Sequence, residues 1–174
     1  RLINDVSGLS HDPDALSAAA QTGLPVILMH ALGDPKTMQD DPRYDDVLLE
    51  VYDFLAARID AAVAAGIPKE RIAIDPGIGF GKTLQHNLTL LNGLSLFHGL
   101  GVPVLVGASR KRFIGTLDDE PEAKKRVPGS IAAAITAASQ GVQILRVHDV
   151  RETRQALRVW LSAAHGAPVD ALNA

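Results

Sequence analysis

In RIAIDPGIGFGK, residues 71–82, the apolar residues Ile72, Ala73 and Ile74 run straight into Asp75. Pro76, Gly77, Gly79, Gly81 and Lys82 follow. Two kinds of site fit this order: a glycine loop that cradles phosphate, or a carboxylate aimed at a ligand that donates hydrogen bonds. The phosphate-loop pattern GxxxxGK[ST] is completed at its end by Gly81, Lys82 and Thr83. It fails at its start, because Pro76 stands where the opening glycine belongs. The even spacing of the glycines also misses GxGxxG. Glycine still lets backbone pass close to a flat ligand. A plain turn capped by Asp75 explains the string as well as a site does.

RVHD, residues 146–149, carries a different chemistry. Alternation along a strand puts Arg146 and His148 on one face and Val147 on the other. Two potential cations at a strand end suit an anion, with arginine supplying a bidentate fork. A solvated strand end, or an Arg146–Asp149 pair, is the alternative. SRKR, residues 109–112, follows the apolar PVLVGA. Alternation points Ser109 and Lys111 together and Arg110 away. Lys111 so placed suits a Schiff base or a donor to an oxo group, against the plainer reading of a solvated basic loop. Asn4 ends the first apolar run, and its amide both donates and accepts, as a heterocycle edge requires. A turn-forming Asn4-Asp5 is the alternative. Met29 reads as core filler or an apolar wall, and His30 as a satisfied structural histidine. His11, His86, His98 and His165 read as surface residues without partners. There is no HExxH and no histidine pair at metal-binding spacing.

These residues need elements to hold them. Short apolar runs at 2–3, 25–28, 72–74, 103–106 and 142–145 alternate with helical patterns at 14–21, 44–65, 84–97, 130–140 and 152–163. Gly23, Gly66, Gly99 and Gly141 fall where helices end, and Ser130 where one starts. Continuous apolar strands with helical crossovers predict a parallel sheet covered on its faces. Polar residues sit at the C-terminal ends of all five runs. A (β/α)8 TIM barrel explains that better than a doubly wound sheet, whose chemistry gathers at one switch point. A full barrel takes roughly 250 residues. The 174 residues here are expected to carry five βα units out of eight, as one domain over 1–174, which would leave two raw sheet edges. The chain opens on a strand without a methionine, so it is expected to be a piece of a longer protein. The βα loops 33–46 and 115–129 are long, and the second reads as solvated. Arg151, Arg154 and Arg158 read as an exposed helix face.

Composition narrows the classes. Hydrophobic residues make up 47%, which argues against disorder. A formal charge of −3 argues against broad nucleic-acid binding. With no cysteine there are no disulfides and no thiolate metal sites. No apolar run spans a membrane and no signal-peptide pattern is present, so a cytoplasmic protein is the default.

INDVSG, LMHALGDPKTMQ, DPGIGFGK, VGASRKRFIG, GSIAAAI and RVHDV occur in this order. Together they resemble the dihydropteroate synthase family over essentially the whole chain. That family joins p-aminobenzoate to a dihydropterin diphosphate in folate biosynthesis. It folds as a (β/α)8 barrel, is typically a homodimer, and is the target of sulfonamides. The resemblance implies that Asp75 accepts hydrogen bonds from the pterin's 2-amino-4-oxo edge, with Asn4 supporting the same ring. It implies that Lys111 reaches the oxo side, that Phe80 and Met29 wall the ring, and that Gly107 belongs to the pocket. Arg146 and His148 would hold the diphosphate, and Lys111, Arg146 and His148 would carry the catalysis. Magnesium is the implied cofactor, its asparagine ligand lying in an earlier segment. The family's NVTPDSFSDG, GGESTRPG and DT segments, with the p-aminobenzoate-side loops, are not in this chain. Arg112 follows Lys111 where many members have serine. A related methyltetrahydrofolate methyltransferase barrel, a non-catalytic pterin- or anion-binding fragment and a Schiff-base aldolase on Lys111 are the other readings. SRK and RVHD favour the synthase over the methyltransferase, because a diphosphate needs an anion site.

Overall fold

The computed structural model describes residues 1–33 and 40–169. Its strands are β1 (Ile3–Asp5), β2 (Val26–Met29), β3 (Ile72–Asp75), β4 (Leu105–Val106) and β5 (Ile144–Leu145). Its α-helices are α1 (Ala15–Thr22), α2 (Val47–Ala64), α3 (Leu84–Asn92), α4 (Arg112–Leu117), α5 (Val127–Ser139) and α6 (Val150–His165). β1, β2 and β3 pair in parallel, as do β4 and β5. A parallel bridge from Ile74 to Val104 joins the two sets, and the Ile74 N–H donates to the Pro103 carbonyl at 2.9 Å. The strands therefore lie side by side in chain order. A doubly wound sheet would reverse that order at its switch point.

β2 and the first three residues of β3 are apolar throughout because both faces are covered. Val26, Leu28, Ile72, Ile74, Val104 and Val106 pack with the helices in one large core. Ile27, Ala73 and Leu105 form a separate cluster on the opposite face. The register aligns Asn4 with Ile27 and Ala73, and Met29 with Asp75. By alternation Asn4, Met29 and Asp75 share the face of that smaller cluster. The outermost strand is less protected: Ile144 is 38% exposed, whereas β2 and β3 are buried along their length.

α2 shows how local chemistry sets an element. Asp46 caps it, accepting from the N–H groups of Leu48 and Leu49; such a cap is worth ~1 kcal/mol. Val47, Val51, Leu55 and Ile59 recur every four residues and are buried. Truncating Leu55 to alanine would cost about 2–5 kcal/mol.

Several expected elements differ. The helix expected over 84–97 stops at Asn92, and a 3₁₀ segment, Leu94–Leu100, replaces its second half. Gly93 lets Leu48 of α2 come close, since a Cβ there would stand 2.7 Å from the Leu48 side chain. Gly101, not Gly99, makes the left-handed cap. Ser130 is not an N-cap. It lies inside α5, which starts earlier with Pro128 in its first turn, and its hydroxyl donates to the Arg126 carbonyl at 2.6 Å. Loop 115–129 is not simply solvated: it contains the end of α4, a 3₁₀ turn (Ala123–Lys125) and the start of α5. The Arg126 guanidinium ties it together by donating to the carbonyls of Glu120, Pro121 and Arg110. His86, His98 and His165 have partners after all, a ring nitrogen of His165 lying 2.9 Å from the Leu161 carbonyl. His86 completes a capping box with Thr83, and a ring nitrogen of His98 meets the Gln140 carbonyl at 2.8 Å. Arg151, Arg154 and Arg158 are exposed as expected. Much of LMHALGDPKTMQ and of the 33–46 loop lies at 34–39, outside the described residues.

Candidate functional site

The C-terminal end of β3 carries the centre of the site. Asp75 is 1% exposed. Its Oδ1 accepts from the Gly77 N–H at 2.8 Å. Its Oδ2 is buried without a hydrogen-bond partner and lies 3.5 Å from Nη2 of Arg146. Burial pushes the carboxyl pKa up, while the Gly77 N–H, Arg146, Lys111 and Lys82 pull it down, in that order. A buried carboxylate oxygen left open costs free energy until something donates to it.

The glycine loop after Asp75 is folded on itself. Gly77 N–H is taken by Asp75, Gly79 N–H by Oδ1 of Asn87 at 2.5 Å, and Phe80 N–H by the Gly77 carbonyl. These amides are spent inside the protein, so the loop is not a phosphate cradle. Lys82 agrees: it is 4% exposed and turns inward to Nδ1 of His30 at 2.9 Å and the Phe80 carbonyl at 3.0 Å. Two glycines are demanded by space and conformation. Gly77 has φ 70° and a Cβ there would fall 1.8 Å from the His30 carbonyl oxygen. Gly79 has φ 79°, and its Cβ would fall 2.8 Å from Cδ of Lys111.

Lys111 arrives from the β4–α4 turn. Its ammonium donates to the Ile78 carbonyl and sits 3.8 Å over the Phe80 ring, a cation–π contact. Burial lowers its pKa to about 8; Asp75 opposes that shift and Arg146 adds to it. Strand alternation does not continue through SRKR, because β4 ends at Val106 and Arg110 is left-handed at φ 60°. That turn sends Arg110 to a bidentate pair with Asp149, at 3.1 and 2.5 Å. It also takes Ser109 to His148, whose Nδ1 is 3.1 Å from the serine oxygen. Ser109 and Lys111 therefore do not share a partner, and Asp149 pairs with Arg110 rather than with Arg146.

Arg146 lies across Gly107. A Cβ on Gly107 would stand 2.8 Å from Arg146 Nη2, so the guanidinium needs that glycine to reach Asp75. The Arg146 side chain is 42% exposed, and His148 is exposed beside it. The structure thus gathers Asp75, Phe80, Gly107, Lys111 and Arg146, with His148 at the margin. Asn4 is exposed on the same sheet face, while its neighbour Asp5 makes the turn by accepting from Ser7 and Leu9. Met29 is fully buried, which places it among the packing residues. A cleft of about 690 Å³ opens outside Phe80 and Lys111, with Arg112 on one wall and Asp40 and Asp41 on another.

Two residues and two long-range contacts of the site were not legible in the sequence. Lys82 had been seen only as the end of GKT, and Asn87 carries no local signal for its reach back to Gly79. The strut Arg110–Asp149 and the Ser109–His148 contact cross almost forty residues of sequence, which spacing alone does not reveal.

A family model described as pterin binding enzyme matches residues 1–148. The dihydropteroate synthase of Escherichia coli K12 is 52% identical over 158 residues, covering 91% of this chain and 55% of the relative. The Haemophilus influenzae synthase is 46% identical over 164 residues, covering 94% of this chain and 59% of the relative. The chain thus spans about half the length of the curated relatives it matches. Among solved structures, the Yersinia pestis dihydropteroate synthase with a sulfonamide drug complex superposes with a TM-score of 0.91 at 49% identity, over 95% of this chain and 60% of that one. The Xanthomonas albilineans synthase in complex with 7,8-dihydropteroate gives 0.86 at 48% identity, over 94% and 59%.

Proposed function

The chain belongs to the pterin-binding enzyme family, and from that premise we propose that it is the C-terminal part of a dihydropteroate synthase. Residues 1–174 supply about five of eight βα units of one TIM barrel. The full-length transferase condenses p-aminobenzoate with 6-hydroxymethyl-7,8-dihydropterin diphosphate, giving dihydropteroate and diphosphate in folate biosynthesis. The observation that carries this reading is the open Oδ2 of Asp75, a buried acceptor beside a rigid glycine loop.

Each residue has a part in that proposal. Asp75 accepts from neighbouring N–H groups of the pterin edge, a planar charge-assisted pair. Asn4 supports the ring, Phe80 walls it with Met29 packed beneath, and Gly107 leaves room at its margin. Lys111 donates to the oxo side. Arg146 and His148 hold the diphosphate and stabilise its charge as it leaves. The arylamine nitrogen attacks the pterin methylene carbon while the bond to the diphosphate oxygen breaks. One proton leaves the new secondary amine. Negative charge on Asp75 favours electron donation from the ring to that methylene.

Among the described residues no three metal-ligating side chains converge. They do not by themselves fit the magnesium implied by the family, and the roles above do not depend on it. Magnesium, a homodimer and a cytoplasmic location belong to the same proposal. Among the described residues no helix is long and apolar enough to cross a membrane.

The test is dihydropteroate formation by the full-length protein, with wild-type Lys111 and Arg146 and with each replaced by alanine. Product from wild type, and a loss of at least tenfold in both variants, supports the proposal. No product from the two substrates with magnesium overturns it.

A further inference from the structure

Two consecutive residues after β4 meet two consecutive residues after β5. Arg110 forks onto both carboxylate oxygens of Asp149, and beside that pair Ser109 meets His148. The turn that carries the serine is also held from α5 and the segment before it. The Arg110 N–H donates to Oγ of Ser130 at 2.8 Å, and the Arg126 guanidinium donates to the Arg110 carbonyl at 3.1 Å. Ser109 is 6% exposed. The gap beside it, bounded in part by Ala108, Ser130, Ala134 and Val147, has no room for a water molecule.

A serine hydroxyl has one proton to give and two lone pairs to receive with. The His148 backbone N–H, 3.3 Å from Oγ, can only donate, so it takes a lone pair. Among the described residues the one acceptor paired with that hydroxyl is Nδ1 of His148, at 3.1 Å. The hydroxyl proton therefore goes to Nδ1, and the neutral ring keeps its own proton on Nε2. The reverse assignment would leave a buried hydroxyl proton without an acceptor, at a cost of about 1–3 kcal/mol. We propose that Ser109 is a positioning residue: its hydroxyl fixes the His148 ring with the proton on Nε2, so that His148 offers a donor to the anionic group that Arg146 receives. That this group is a diphosphate rests on the reading above; the proton's place on the ring does not.

The assignment matters because an anion accepts hydrogen bonds and never donates them. A neutral imidazole binds one only through its N–H edge, and the reversed ring would turn a bare lone pair towards it. His148 is exposed, and among the described residues nothing pairs with Nε2, so that edge is open to a ligand. Both oxygens of the adjacent Asp149 are engaged by Arg110, and no bond from His148 to that carboxylate competes with the serine. The Arg110–Asp149 pair thus sets the distance between the two strand ends, and Ser109 sets which nitrogen carries the proton.

The test is the ¹⁵N NMR spectrum of the full-length protein labelled at histidine, without ligand and at a pH where the ring is neutral, His148 being assigned by its loss in His148→Gln. Wild type is expected to carry the proton on Nε2 alone, with Nδ1 resonating as a hydrogen-bonded acceptor. In Ser109→Ala the Nδ1 signal should move towards that of a free lone pair, and both nitrogens should report exchange between the two tautomers. A proton on Nδ1 in wild type, or unchanged nitrogen signals in Ser109→Ala, overturns the proposal. If Ser109→Ala does not fold, the wild-type spectrum decides alone. Binding of 6-hydroxymethyl-7,8-dihydropterin diphosphate gives the second arm. Ser109→Ala should weaken it about three- to tenfold where His148 is present, and less than about twofold in the His148→Gln background. Equal losses in the two backgrounds would mean that the serine does not act through His148, and would overturn the proposal. A wild-type protein that does not bind the diphosphate form refutes the diphosphate reading, and the nitrogen spectrum still tests Ser109.

Discussion

The ends of β3 and β5 face the same site and are built in opposite ways. At β3, Asp75 is buried, the loop amides are paired internally, and two glycines occupy positions that admit no side chain. At β5 the strand is two residues long, Ile144 is partly exposed, and Arg146 and His148 stand in solvent. The contrast matches the two jobs proposed. A flat ring is recognised by donors and acceptors that must not move, so that end is over-determined. A leaving anion must be held and then released, which an exposed guanidinium on a long side chain can do. A struts-and-lever arrangement supports it: Arg110–Asp149 fixes the turn, and Ser109 steadies His148.

Breaking the rigid end should have the largest effect. Gly77→Ala would put a methyl on the His30 carbonyl in a left-handed conformation. We expect a loss of more than about 3 kcal/mol of stability, read as a drop in the denaturant midpoint; a shift below 1 kcal/mol would show that the loop is not rigid. Asp75→Ala should weaken pterin binding by about a hundredfold or more, as expected for two charge-assisted bonds. At the open end, Arg146→Ala should weaken the diphosphate form roughly ten- to a hundredfold and leave the form without diphosphate within about twofold. Its melting should barely change, because the side chain is exposed. Gly107→Ala should imitate Arg146→Ala by displacing the guanidinium; a normal affinity for the diphosphate form would remove Gly107 from that role.

A smaller effect distinguishes the two ends by pH. Burial lowers the Lys82 pKa to about 7 from 10.5. Between those values the unfolded chain binds more protons than the folded one, so stability should rise with pH. From pH 7 to 9 the rise is about 2 kcal/mol, with Lys111 adding in the same direction above about 8. Lys82→Met should flatten most of it in a pH series of denaturant melts, while Arg146→Ala should not.

The same contrast explains what the sequence made legible. The strands of β2 and β3 are continuous apolar runs because both faces are covered, and Asp75 stands out because it ends one of them. The evenly spaced glycines pointed to close approach, but not to which group they approach. Lys82 was illegible for the opposite reason: a lysine after a glycine loop looks the same whether it reaches a phosphate or turns inward. The pairing of Ser109 with Lys111 failed because alternation holds only while the strand lasts, and the turn after β4 passes through Arg110 at a positive φ. Ser130 has the chemistry of a cap but spends its hydroxyl on a tertiary bond. α4 is six residues long, too short for a periodic signal.

The most direct measurement is calorimetric titration of the chain with 6-hydroxymethyl-7,8-dihydropterin diphosphate and with the same pterin lacking diphosphate, in wild type, Asp75→Ala and Arg146→Ala. The predicted result is loss of both ligands in Asp75→Ala and loss of the diphosphate form alone in Arg146→Ala. Equal affinity of wild type and Asp75→Ala for the pterin would contradict the account.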